Sequence, residues 1–370
     1  MKKRIVSLTL AALMLVSCSG NDSSTAGGGA DLSGEPVKSA YSGAESLMGM
    51  DYGKFTMPSA FEVPVLTDVY SLNYNFPRNI LDKQKAVEII GKVMGDELDK
   101  TRLRDDGFGG VYFDPDDDPD WLAGYADGFL YAFKPVYDEY KESVTYSVSS
   151  EGDTAVTVGN AETSVGQIAG SVDALLPDLL SGAMEGFDIR AERVSLLDNG
   201  YINVLCSMNI DSVPIQYIAS SYLKLIGGEY REEYISFSLH CYLDKNLKLC
   251  GLDFYDPPTV LSKEKLDSII SLKKAVSIVR DNLGSEYDSY DISDVRLMYC
   301  SMVRSPDVSG FSEEESVLEA ERVSEVRTLT PTWTFFIKRT SENENDACIK
   351  VNAVTGELFM DIYDEKLVNY

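Results

Sequence analysis

Three Ser-x-x-Lys spacings occur, at Ser221/Lys224, Ser262/Lys265 and Ser271/Lys274. The spacing places an amine one helical turn after a hydroxyl, which is how a serine nucleophile can be activated. The Ser-Asp-Asn and Lys-Thr-Gly elements that accompany it in penicillin-binding enzymes are missing from the sequence. Ser262 and Ser271 read more simply as helix N-caps. Gly-x-Ser-x-Gly, His-Glu-x-x-His, P-loop and dinucleotide fingerprints do not occur either. His240 is the one histidine, which excludes any mechanism needing two. It shares a strand face with Ser236 and Ser238 and reads as a solvated residue. Carboxylate pairs are plentiful in so acidic a chain, and composition nominates none of them as an acid and base.

The densest acid cluster is Asp114, Asp116, Asp117, Asp118 and Asp120. The Asp114/Asp116/Asp118 spacing resembles the opening of a calcium loop, but Pro119 stands where an EF-hand needs Gly and Tyr125 where it needs Glu. The stretch reads first as a solvated acidic loop and second as a millimolar calcium site, with no other cofactor expected. Trp121, Tyr125, Phe129, Tyr131, Phe133, Tyr137 and Tyr140 follow. At strand spacing they read first as core and sheet-face aromatics. A ligand platform beginning at Trp121 and Tyr125 is the second reading.

Six cysteines are present. The segment 234–254 alternates, with Ile235, Phe237, Leu239, Cys241 and Leu243 on one face. A two-residue turn at Lys245-Asn246 predicts Cys241 opposite Cys250 and Leu239 opposite Leu252, which keeps apolar faces together. Two readings stand: a Cys241–Cys250 disulfide at a non-hydrogen-bonded pair, or two buried thiols.

The first cysteine belongs to a different pattern. Lys2, Lys3 and Arg4 precede an apolar run over 5–16, too short to span a bilayer as a helix, which reads as a signal peptide. The run ends Leu15-Val16-Ser17-Cys18, which resembles the bacterial lipobox; the resemblance implies cleavage before Cys18 and its acylation, palmitate included. Loss of residues 1–17 removes Lys2, Lys3 and Arg4 and no acid, moving the net charge from −27 to −30. The expected location is extracytoplasmic, lipid-anchored to the bacterial cell membrane. Residues 18–57, rich in Gly, Ser and Ala, are expected to be a flexible tether with a reach of roughly 30–35 Å.

Further along, period and punctuation predict a helix over 81–98 capped by Asp82, one or two short helices over 164–184 broken at Pro177, and helix over 263–283, either continuous or broken near Ser271. Strands are expected over 62–76, 189–197, 201–210, 294–301, 332–339 and 348–362, the second and third joined by Asp198-Asn199-Gly200. Strand runs interrupted by isolated helices favour α+β with antiparallel sheets over a doubly wound fold. Residues 81–98 align without gaps on 270–287 with six identities, among them Lys85/Lys274, Ala86/Ala275 and Ile89/Ile278. The alignment raises the reading of a duplicated helix-plus-sheet unit.

The C-terminal third carries a family resemblance. A helix opening Leu272-Lys-Lys-Ala275 is followed by Thr330-Pro331-Thr332-Trp333-Thr-Phe335, then by Ile349-Lys-Val351-Asn352-Ala353-Val-Thr355-Gly356-Glu357-Leu358. This is similar to the PepSY-type and YycI-like modules of bacterial envelope proteins, with Asn352 where the family commonly has Asp. The resemblance implies a helix packed on a small antiparallel sheet and an envelope role, and it supplies no catalytic residue. The expected layout is therefore a signal peptide at 1–17, lipidated Cys18 and tether to 57, an N-terminal α+β region at 58–259, and the PepSY-like module at 260–370.

Of the 370 residues, 60 are acidic and 33 are Lys or Arg, and that surface excludes nucleic acid as a partner. The expectation is a non-enzymatic binding or regulatory protein of the envelope, with the membrane and an envelope protein or peptide as partners. An envelope carbohydrate or peptidoglycan hydrolase with paired carboxylates, and a solute-capture lipoprotein of a transporter, are the alternatives.

Overall fold

The computed structural model describes residues 33–75, 81–95, 103–105, 110–113, 122–126, 128–133, 142–216, 223–225, 228–230, 239–255, 257–283, 289–301, 327–338 and 348–361. Residues 33–361 belong to one compact unit of α+β class, built on two large, mostly antiparallel sheets with few helices among the described residues.

The first sheet has ten strands. Its middle is formed by Phe129–Phe133, Leu249–Tyr255, Leu239–Leu243, Ile202–Ile210 and Asp188–Leu197, in that order. Strict alternation drives Val204, Cys206, Leu239, Cys241, Leu252, Phe254, Leu130 and Ala132 to one face, all of them fully buried. That face is covered by helices α1 (Lys83–Met94) and, after the one-turn α2 (Val148–Glu151), by α3 (Val165–Leu179). The Asp82 side chain caps α1 by accepting the Lys85 N–H at 2.7 Å, as its sequence position predicts. Ser164 and Gln167 form a reciprocal capping box on α3, and Pro177 falls inside its last turn without breaking it.

The second sheet has nine strands. Tyr290–Ser301, Arg327–Ile337, Cys348–Asn352 and Leu358–Asp361 are consecutive neighbours in it. One face, with Trp333, Phe335, Ile349, Val351, Val295 and Leu297, is buried in the main core. Helix α4 (Leu272–Asn282) packs on the strands at the C-terminal end of this sheet. The turn after Asn352 uses Gly356 at φ 77°, and Asn352 Oδ1 accepts the N–H groups of Val354 and Thr355. The two helices of the internal alignment thus pack on different sheets.

Besides the unbroken helix at Pro177, three expectations are corrected. The tether ends earlier than 57: from Glu35 onward the chain is folded, with Val37, Ala40, Tyr41, Ala44, Leu47 and Phe55 buried. The 37/40/41/44/47 spacing is helical, and its partners lie far away in sequence. Tyr41 meets the Trp333 ring edge-on at 4.9 Å and accepts the Leu297 N–H. Helix does not begin at 263, because Thr259–Lys265 is a strand and α4 starts only after Ser271. The boundary at 259/260 is not a break in the fold. Tyr70–Asn75 pairs with both Thr259–Lys265 and Arg327–Ile337, Glu35–Pro36 pairs with Ser268–Ile269, and Phe55–Thr56 runs parallel to Tyr290–Ser301.

Candidate functional site

The remaining faces of the two sheets turn toward each other, and they are polar. Asn203, Ser207, Asn209, Glu192 and Ser195 from the first and Thr332, Thr334, Lys350 and Asn352 from the second are buried. An apolar patch of Met298, Cys300, Phe336 and Cys348 meets Leu205 across the gap. Lys350 Nζ donates to Gln216 Oε1 at 3.1 Å. Burying polar groups is costly unless they are hydrogen-bonded, so this layer constrains how the sheets sit.

Arg296 stands at the mouth of the layer. Alternation along its strand places Asp294 and Arg296 on one face, where Asp294 Oδ2 accepts from Arg296 Nε at 2.6 Å. On the first sheet, pairing shifts between Ala191 and Arg193, and Glu192 is the extra residue of that bulge. A bulge re-aims one side chain out of the alternating pattern. Here it brings Glu192 Oε1 onto Arg296 Nη1, joining the sheets by an ion pair. The guanidinium also lies over the Phe336 ring at 5.8 Å.

Two cavities flank this pair and share Arg296 and Ser149 in their walls. The larger, about 730 Å³, runs past Pro58, Phe61, Glu151, Arg193, Asp291 and Lys338. The smaller, about 550 Å³, is lined by Glu62, Asp173, Asp188, Arg190, Glu192 and Asn209 among others. Burial pushes the Asp173 carboxyl above its ordinary range, opposed by the Ala191 N–H that it accepts at 2.6 Å.

A second feature occupies the first sheet on the same side. Ring contacts run unbroken from Tyr255 through Phe129, Tyr131, Phe133 and Tyr242 to His240, at centroid spacings of 4.5, 5.7, 6.1, 6.4 and 6.2 Å. Gly124 makes room for it: a Cβ there would come within 2.6 Å of Tyr131 Oη. His240 Nδ1 is 3.0 Å from Asn203 Oδ1, and Tyr242 donates to Asp253 Oδ2 at 3.0 Å. Burial raises the Asp253 carboxyl above its ordinary value of 3.8, against the charge of the facing His240 and the Tyr242 hydroxyl. A group whose folded-state pKa is raised contributes stability below the unfolded value and loses it as pH rises through the folded one. Asp253→Asn keeps an acceptor for Tyr242 and removes the ionisation. It is expected to flatten the fall in melting temperature in the pH window just above 3.8; a wild-type pH–stability slope there shows that this carboxyl does not titrate in that window.

Of the residues singled out by sequence, Cys18, Asp114, Asp116, Asp118 and Trp121 lie outside the described residues. Tyr125 is no platform residue. It is fully buried on the helix side, and its hydroxyl accepts the Leu81 N–H at the start of α1. The hairpin register also differs: Cys241 faces Leu252, Leu239 faces Phe254, and Cys250 is the extra residue of a bulge. The turn is longer than two residues, because Asp244 Oδ1 accepts from both Asn246 and Lys248, and Leu247 takes φ 60°. Cys241 and Cys250 are therefore not opposed and form no disulfide with each other. Cys241 lies instead against Cys206, whose thiol it pushes up together with burial. Arg296 and Glu192 were missed, whereas Phe129, Tyr131 and Phe133 are the sheet-face aromatics that their strand spacing predicts. For the ring row the signal was present: Leu130 and Ala132 alternate with Phe129, Tyr131 and Phe133. For a bulge at Glu192 sequence gives no comparable signal.

No protein-family model matches the chain, and none of the curated proteins compared matches it. Among solved structures, an uncharacterized protein from Eubacterium rectale ATCC 33656 is similar, at TM-score 0.49 and 13% identity over 83% of this chain and 90% of that one.

Proposed function

We propose that the chain is an exported, lipid-anchored protein of the bacterial envelope that binds a small polar ligand and performs no chemistry on it. The observation that carries the binding role is the cleft between the sheets. Its two cavities, about 730 and 550 Å³, fall within the volume range of small-molecule sites. Both are walled by residues from distant parts of the chain, which places charged and hydroxyl groups around a partly open cleft. Export and anchoring rest on the basic start, the short apolar run and the Leu15–Cys18 motif.

The anchor has a direct test. Cys18→Ala is expected to move the protein from the membrane pellet to the soluble exported fraction and to abolish labelling by radioactive palmitate. A wild type that takes up no label and an unchanged distribution of the variant would remove the anchoring part. Cross-linking in native membranes tests the partner: small-ligand binding predicts no abundant protein adduct at residues lining the cleft, whereas an envelope protein or peptide captured there would replace that reading. Asp173 and Glu192 lining one cavity support the hydrolase alternative, and turnover of a glycan panel lost in both Asp173→Asn and Glu192→Gln would establish it.

A further inference from the structure

The chain from Pro58 to Leu66 lines both cavities, Pro58–Phe61 the larger and Glu62, Pro64, Val65 and Leu66 the smaller. It belongs to no helix or sheet, and from Ala60 to Val69 it has no turn or bend, so its backbone is extended. Phe61 and Leu66 anchor it in the core, while Ser59, Ala60, Glu62, Val65 and Thr67 are exposed. At its two ends Pro58 O accepts the Gly49 N–H and Val69 O accepts the Leu266 N–H, both at 2.9 Å. Between them, over 59–68, no backbone N–H or C=O is hydrogen-bonded by a described residue. Every backbone N–H and C=O needs a partner, and an accessible extended run left to water is an edge on which another extended chain can pair. The wall of the larger cavity carries both signs of charge in equal number, Arg193, Arg296 and Lys338 against Glu151, Asp291 and Asp294. Arg296 and Asp294 hold each other, and Glu151 accepts the Ser147 N–H at 2.8 Å. The Asp291 carboxylate is exposed and makes no ion pair or hydrogen bond among the described residues. Asp291 is also the register partner of Thr56, so it stands where the extended segment enters the cavity.

Resting on the cleft reading, we propose that the larger cavity takes a short free peptide in extended form, its main chain pairing with the Ser59–Phe61 backbone and its ammonium group on Asp291. A peptide presents alternating donors and acceptors at the spacing of the open backbone. Its two charged ends match a wall with no net charge: Asp291 faces the ammonium, and Arg193 on the opposite sheet and Lys338 supply positive charge for the carboxylate. A volume of about 730 Å³ suits a ligand the size of a tripeptide. Such a peptide is a small polar ligand and leaves no protein adduct. A sugar lacks the alternation, a free amino acid is too short to follow the segment, and a simple anion gains nothing from balanced charge.

The test titrates trialanine, Ala-Phe-Ala and Ala-Glu-Ala calorimetrically at millimolar concentration into the full chain in mild detergent, beside free alanine and D-glucose. At least one tripeptide is expected to bind with one-to-one stoichiometry, and alanine and glucose are expected not to compete. N-acetylation of that peptide and the variant Asp291→Asn should each weaken binding by more than about tenfold, and the acetylated peptide should not distinguish the variant from wild type. Successive N–H groups of an extended chain point to opposite sides. One of Ser59→Pro and Ala60→Pro is therefore expected to weaken the peptide by about tenfold. Both should melt like wild type, because neither N–H is used within the fold. Thr67→Pro, exposed on the same segment and outside both cavity walls, is expected to change nothing. N-methylation of the central amide of the peptide removes the same pairing from the ligand side and should cost a similar factor, whatever the prolines do to the protein. Absence of stoichiometric tripeptide binding, or binding indifferent to both proline variants and to N-methylation, would overturn the proposal. Equal weakening by all three prolines without an effect of N-methylation would overturn it as well. Alanine or glucose bound in place of the peptide, and weakened by Asp291→Asn, would overturn it while leaving the cleft as a small-ligand site.

Discussion

Residues 260–370 expressed alone are expected to give no cooperative melting transition. The helix-plus-sheet resemblance of this third suggests a self-sufficient module, but its hydrophobic face is finished by the first seventy-five residues. Phe55, Val69, Leu72 and Tyr74 are each 1% exposed or less, and all of them sit in the main core. Side chains of this size contribute about 1.5–3 kcal/mol each on burial. Removing four approaches the whole stability of an ordinary domain, about 5–15 kcal/mol. Polar losses add to this: the Leu272 N–H loses its acceptor at Ala40 O, the Leu297 N–H loses Tyr41, and the Tyr299 hydroxyl loses the Tyr70 N–H. A chain joining residues 33–75 to 257–370 through a Gly/Ser linker should restore a cooperative transition in circular dichroism. Cooperative melting of 260–370 by itself would show that the N-terminal segment only decorates an autonomous sheet.

The same contrast between local and distant determinants separates what could be read in the sequence from what could not. Helix α1, its Asp82 cap and the Gly200 hairpin are decided by neighbours within a few residues, and each stands where the sequence predicts it. The α+β class followed for the same reason, since strand and helix periods are local. The segment from Glu35 to Phe55 reads as linker because Gly43, Gly49 and Gly53 and several serines interrupt its apolar residues. Its order comes from Trp333, Leu297 and Ile269, more than two hundred positions away. The Cys241 register failed by two residues because Asp244 closes a longer turn with its own side chain, a choice that composition leaves open. Of the site, strand spacing predicts the sheet-face aromatics Phe129, Tyr131 and Phe133, and pairing with distant strands brings Tyr255, Tyr242 and His240 to them. The Arg296–Glu192 contact needs a bulge on one sheet and a partner on the other, and neither has a local signature.

Arg296→Met is expected to lower stability by about 3–5 kcal/mol, the cost of leaving one partner of a buried ion pair behind. Glu192, 7% exposed, would then have neither oxygen bonded by a described residue, because Arg296 is its one donor among them. Asp294 would suffer less. It is 22% exposed, and its Oδ1 still accepts the Val295 N–H at 2.8 Å. The penalty therefore belongs to Glu192 and can be removed by removing Glu192. Arg296→Met combined with Glu192→Met replaces both charges by apolar groups of similar length, and should recover most of the loss, since a buried pair and its apolar replacement are often close in stability. The four denaturation curves form a cycle whose coupling energy isolates the pair. If the single variant melts like wild type, or the two substitutions add within about 0.5 kcal/mol, the carboxylate is hydrated. The sheets would then be held together by Lys350, Gln216 and the Leu205 patch without help from Arg296.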